Sequence, residues 1–290
     1  MSLGIWDAAL IAAKTITYAA TLGAAGAVFF LKICGATIAA ADIRAIRRMV
    51  PALAALAVLG GAMQILVTAG SMSGGAAGML DGPLLRMVWQ TGAGRANAIR
   101  AAGLLLATLG MLYRLSWPAL LGAAVAATSF AWTGHARSLN PDAIPVWLFA
   151  IHLLGVAFWF GALAPLRVVA RHADVSTVAA AAARFGRAAL FVVAGLMAAG
   201  LSLLWLLLGG FRELWSSTYG RYAMFKLAFV GCLLCVAAFN KLWLTPRLLD
   251  GDPRASRILR RSIRLELLLG LSILAATATL TTVAGPPSLG

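Results

Sequence analysis

The sequence predicts an all-α, polytopic integral membrane bundle of about eight transmembrane helices, and three observations carry that prediction. Of 290 residues, 62% are hydrophobic and only 11% charged, against about 25% charged in ordinary soluble domains. Apolar stretches recur along the whole chain at or above the ~20 residues that cross a bilayer. Between them, Lys and Arg gather in alternate loops, as the positive-inside rule requires. A single transmembrane domain over 1–290, with no soluble module, satisfies all three.

The apolar segments run over about 8–38, 51–70, 95–113, 117–135, 143–171, 178–208, 219–248 and 257–283. A Gly-rich stretch, 71–82, follows the second, and then comes an amphipathic piece, 83–90. Several segments exceed 20 residues, which implies tilt or extension beyond the lipid. Abundant Gly and Ala allow helices to approach closely where no hydrophobic force drives them together. Trp89, Trp132, Trp147, Trp215, Tyr219 and Tyr222 fall near one edge and match an interfacial aromatic belt. No internal repeat is visible.

The net charge of +15 would suggest nucleic acid in a soluble protein, but topology explains it here. Arg44, Arg47, Arg48, Arg114, Arg167, Arg171, Arg184, Arg187 and a run from Lys241 to Arg264 occupy one set of loops. That side is cytoplasmic, so the N-terminus and C-terminus face the periplasm of a bacterial inner membrane. No basic stripe with interleaved aromatics lies outside the helix flanks, so no nucleic-acid partner is expected. The membrane lipid is the obligatory partner. The first five residues lack the basic region of a cleaved signal peptide.

Ionisable groups inside hydrocarbon cost at least about 2.5 kcal/mol on insertion scales, so they mark partners or tasks. His152 lies about 13 Å into the fifth segment from its outer end, and imidazole is a common metal ligand. His135 closes the fourth segment on the same side, across a short loop. Met72 and Met79, with Met87, space soft thioethers through the same outer region, a ligand set that suits copper(I). His172, between Arg171 and Asp174, reads as a solvated edge residue. Toward the cytoplasmic side, Asn240, Glu266 and Arg184 (with Arg187) form a candidate intramembrane polar cluster, and Lys226 either snorkels outward or lines a polar cavity. Cys34, Cys232 and Cys235 all sit in apolar runs. Cys232 and Cys235 share a helix face, and the three are read as small buried hydrophobes.

These residues occur in an order that resembles the copper-resistance protein D family. The resemblance rests on His152-Leu-Leu-Gly-Val-Ala-Phe-Trp159-Phe-Gly161, then Arg184-Phe-Gly-Arg187, Thr218-Tyr219-Gly220 and Lys226. It continues through Phe239-Asn240-Lys241-Leu-Trp-Leu-Thr-Pro246, Leu259-Arg260-Arg261-Ser262 and Glu266, and includes Thr133-Gly134-His135-Ala136. It covers about 133–286. Ala162 stands where the family often has a second glycine, and Lys241 where it often has arginine. Membership implies an inner-membrane protein of copper handling, one that takes copper from a separate periplasmic carrier of the CopC type toward the cytoplasm.

Three function classes follow. The first is a copper-binding permease or delivery protein. With no phosphate loop or phosphorylation motif, its transport is passive, proton-coupled or by exchange. The second is a quinone-linked redox protein holding haem b, since haem iron is commonly ligated by His. The third is a non-catalytic scaffold docking a periplasmic copper carrier. Copper is the expected ligand, and haem b the alternative.

Overall fold

The computed structural model describes residues 4–132, 144–208 and 212–283. Among these every regular element is helical. The helices are α1 (Ile5–Cys34), α2 (Ala40–Ser73), α3 (Gly82–Gln90), α4 (Gly92–Leu112), α5 (Ser116–Thr128), α6 (Ile144–His172), α7 (Val175–Leu208), α8 (Arg212–Ser216), α9 (Thr218–Phe239), α10 (Thr245–Leu249) and α11 (Pro253–Val283). A π-helical turn, Asn240–Leu244, joins α9 to α10.

Among the described residues, six helical stretches are long and apolar enough to cross a membrane: Ile5–Thr37, Ala40–Ser73, Pro145–Arg171, Val175–Leu208, Tyr219–Leu249 and Pro253–Val283. The third and fourth expected spans exist as α4 and α5 but fall short of that standard. The 21 residues of α4 carry Arg95 and Arg100. The 13 residues of α5 rise only about 20 Å, and a 3₁₀ turn, Ser129–Trp132, extends them. The second span begins 11 residues before the expected Pro51, at Ala40. Neighbouring helices tolerate an interior proline in a membrane helix by re-satisfying the freed backbone.

Helix α1 is the axis of the bundle and packs against α2, α4, α5, α6, α7 and α11. Its backbone comes into contact with that of α6. A Cβ added to Gly161 would lie 2.2 Å from the Leu22 carbonyl oxygen, and one on Gly26 would lie 2.3 Å from both the Ala157 oxygen and the Gly161 Cα. The two backbones touch there. Leu22, Val28, Phe30, Trp159 and Leu163 pack around the crossing as one buried cluster. The α4–α5 hairpin uses the same device at Gly103, Gly110 and Gly122, each of which would drive a Cβ into the facing backbone. Close backbone approach between small residues is the main packing mode available in lipid.

At the arginine-rich edge, basic side chains bond to helix carbonyls. Lys241 Nζ donates to the Gly186 carbonyl inside α7 at 2.8 Å, and Arg260 donates to the Ala170 carbonyl, near the C-terminus of α6, at 3.1 Å. A cation is favourable at the second place because the last carbonyls of a helix lack helical partners. Asp174 caps the start of α7, accepting bonds from Ser176 Oγ at 2.5 Å and from Thr177 N and Oγ1 at 2.9 Å each. Bonds from the Ser176 hydroxyl and from Thr177 hold its carboxyl at about 2, below the ordinary 3.8.

Three variants test this description. Gly161→Val forces a branched side chain into the α1–α6 contact and should cost about 1–3 kcal/mol or more, seen as a lower unfolding temperature in detergent. Gly231→Ala, where a Cβ meets open space, should leave that temperature unchanged or raise it. A depressed carboxyl pKa means the capping bonds contribute fully above pH ~4 and are lost as pH falls toward ~2. Asp174→Asn keeps a capping oxygen but does not titrate. The protection of amides at the start of α7, taken relative to their intrinsic exchange rates, should therefore fall on acidification in the wild type and stay level in the variant.

Candidate functional site

His152 projects from α6 toward α7. Its Nδ1 lies 3.3 Å from the Leu196 carbonyl oxygen. A carbonyl only accepts, so Nδ1 carries the hydrogen and, in the neutral ring, Nε2 keeps the lone pair. Metal-binding imidazoles are commonly oriented in this way by a carbonyl that accepts from the other ring nitrogen. Gly200 makes the arrangement possible, since a Cβ there would sit 3.0 Å from ring atoms Cε1 and Nδ1. Phe149, one turn earlier, stacks on the ring with centroids 6.4 Å apart and planes 28° apart. Lys226, from α9, is near enough for its charge to act on the imidazole.

The other outer candidates lie elsewhere. His135 is outside the described residues, as is the side chain of His172. Met72 is 53% exposed in the last turn of α2. Met79 packs with Trp6 over Gly70. The partners of His152 are Leu196, Phe149 and Lys226, and neither methionine is among them.

On the arginine-rich side, Asn240 Nδ2 donates to Glu266 Oε1. Glu266 is 3% exposed, and among the described residues Asn240 is its hydrogen-bond partner. Asn240 Oδ1 is buried without a partner. Asn240 opens the π-helical turn, and Pro246 explains that turn. Proline has no N–H to offer the carbonyl four residues back, so the ladder re-forms with the wider spacing in which Thr245 N bonds to Asn240 O. Thr245 Oγ1 donates to the same oxygen at 2.9 Å. Such π-turns are frequent at functional sites. Arg184 stands apart from this pair. It is exposed, and its charge acts on Cys34. The expectation of three buried cysteines holds for Cys34 and fails for Cys232 and Cys235, which are exposed. They do share a face, but it is an exposed face of α9.

Two polar groupings went unread in the sequence. Lys14 Nζ donates to Thr282 Oγ1 at 2.9 Å and to the Thr281 carbonyl at 3.1 Å, tying α1 to α11. Gln64 donates to Thr17 Oγ1 at 2.6 Å, tying α2 to α1. The second grouping centres on Arg100, buried in α4 at 5% exposure. It donates to Asn97 Oδ1 and, at 3.1 Å, to Ser129 Oγ. An arginine inside an expected span was the available signal.

Comparison with known proteins identifies the chain's relatives. Residues 5–140 match the family model described as Copper resistance protein D-like, N-terminal domain, and residues 179–280 match that described as Copper resistance protein D. The Copper resistance protein D of Pseudomonas syringae pv. tomato is 30% identical over 259 residues, covering 80% of this chain and 83% of that protein. The chain belongs to the copper resistance protein D family. Inner membrane protein YebZ of Escherichia coli is 28% identical over 141 residues, 46% of this chain and 47% of that protein. No solved structure matches. With six apolar helices of spanning length and an inner-membrane relative, this member of the family is a multi-pass inner-membrane protein. The motif residues now have physical roles: Gly161 is the α1–α6 contact, Trp159 and Tyr219 are buried, and Pro246 follows the π-turn.

Proposed function

We propose that this family member binds copper at His152 and passes it through the bundle toward the cytoplasm. The observation that carries the reading is the His152 imidazole, oriented by the Leu196 carbonyl with Nε2 free. It stands inside a membrane helix of a chain whose relative is named for copper resistance. A neutral imidazole is a suitable ligand for copper, and methionine thioethers add softness, so His135, Met72 and Met79 are proposed as further ligands during uptake. The Asn240–Glu266 pair is the proposed inner station, where a buried carboxyl can exchange a proton against the cation. In this reading α4 and α5 complete eight crossings, both termini are periplasmic, and a separate carrier of the CopC type delivers the metal. No observation on the described residues favours the haem b or scaffold readings.

Elemental analysis of purified protein tests the site. The wild type should hold copper stoichiometrically after exposure to copper(I), and His152→Ala should hold none. Unchanged copper in the variant would remove His152 from the site. Lys226→Met deletes the positive charge acting on the imidazole. Copper affinity should then rise by about tenfold or more, because charge repulsion is weakly screened inside a bundle. A competition titration against a copper(I) chelator reads this directly. Equal affinities would mean that Lys226 does not face the bound metal.

A further inference from the structure

Arginines at a membrane edge are explained by topology when they stand apart in water. Arg167, Arg171 and Arg264 do not stand apart. Arg167 and Arg171 lie one turn apart on α6 and share a face. Helix α11 brings the third. Arg260 donates to the Ala170 carbonyl at 3.1 Å, and Gly270 faces the Phe160 ring, where a Cβ would lie 2.5 Å from Cδ2. As the position on α6 falls from 170 to 160, its partner on α11 rises from 260 to 270, so the two helices run antiparallel. Arg264, one turn beyond Arg260, therefore falls level with Arg167. The charges of Arg171 and Arg264 both act on the Arg167 guanidinium.

Three like charges gather here against their own repulsion, which water screens less at the rim of a bundle than in bulk. Arg167 Nε is buried, and among the described residues it has no hydrogen-bond partner. A buried donor left unsatisfied on a charged group is costly. The carboxylates nearest in sequence are engaged elsewhere: Asp174 accepts from Ser176 and Thr177, and Glu266 accepts from Asn240. Arg171 and Arg264 are exposed, so the group opens outward. Arg167 lies one turn inside the end of the spanning stretch Pro145–Arg171, at the height of lipid phosphates.

We propose that Arg167, Arg171 and Arg264 form a site for one phosphate group, as an anionic phospholipid headgroup or a dissolved phosphate presents it. Guanidinium and phosphate match in charge and in paired hydrogen-bond geometry. A phosphate oxygen gives Arg167 Nε the acceptor it lacks, and the negative charge offsets the crowding of the three cations. Basic pockets between membrane helices bind anionic headgroups by the same chemistry. The site needs neither copper nor His152.

Two measurements on the delipidated full-length protein in detergent test it. One is native mass spectrometry with phosphatidylglycerol or phosphatidylcholine, and the other is thermal unfolding in inorganic phosphate against chloride at equal ionic strength. Retention of one phosphatidylglycerol in preference to phosphatidylcholine assigns the site to a lipid headgroup. Stabilisation by millimolar phosphate assigns it to the dissolved anion. Arg171→Gln and Arg264→Gln, at exposed positions, should fold normally and each weaken the bound ligand by about tenfold, the loss of one charge-assisted bond. Arg167→Gln should weaken it at least as much, and if that variant does not fold, the other two decide. Arg254→Gln removes an equal charge about 15 Å away along α11 and should leave binding unchanged. Preference for neither ligand in the wild type, full retention in Arg171→Gln and Arg264→Gln, or an equal loss in Arg254→Gln overturns the proposal.

Discussion

The bundle depends on one contact, the crossing of α1 and α6 at Gly26 and Gly161. Lipid chains are as apolar as leucine, so burial drives helix association weakly in a membrane, and close van der Waals approach has to supply much of the energy. Two glycines facing each other bring the backbones into contact, and α1 can then serve as the axis for α2, α5 and α11 as well. The crossing also places function. His152 lies on the same helix as Gly161, a little over two turns away. The position of α6 against α1 therefore sets how far the imidazole reaches toward α7. Gly200 continues the theme: its missing side chain is the space the ring occupies. A packing device and a site device are the same choice of residue on adjoining helices.

Buried polar groups form distinct stations rather than one continuous wire. Lys14 with Thr281 and Thr282, and Gln64 with Thr17, bind neighbouring helices together. Those bonds satisfy donors that hydrocarbon would otherwise leave unpaired, and that role is sufficient explanation for them. Asn240 and Glu266 differ. Their bond leaves Asn240 Oδ1 without a partner, and the carboxyl lacks a described cation. Under the copper reading that oxygen has a use, because a neutral carboxyl donates to an amide oxygen once the amide turns over.

Much of this was legible in the sequence because membrane physics leaves few options. Apolar runs had to be helices, and the density of Arg and Lys marked one edge. Asn240 and Glu266 could be paired on depth alone, since both lie about equally far from the same edge. What depth cannot supply is direction around a helix. Arg184 has the right height, but it is exposed, and its charge acts on Cys34. Cys232 and Cys235 were correctly given one face, yet which face of α9 packs depends on α11. Helix starts moved because Pro51 was read as a boundary, although prolines persist inside membrane helices. Arg100 was passed over because topology already explained so many of the arginines. Only burial separates it from those at the edge.

Lys226 beside His152 is the least expected pairing for a copper ligand, and the copper reading must account for it. An ammonium near the imidazole opposes a second positive charge, and the repulsion is stronger inside a bundle than in water. A site built for storage would avoid that neighbour. A site on a route need not, because passage requires binding firm enough to admit an ion and weak enough to release it. Under the copper reading the ammonium lowers the affinity of an otherwise good ligand and turns His152 from a store into a stopping point. Under the same reading the arginine-rich side offers Glu266 as a buried carboxyl to balance the cation.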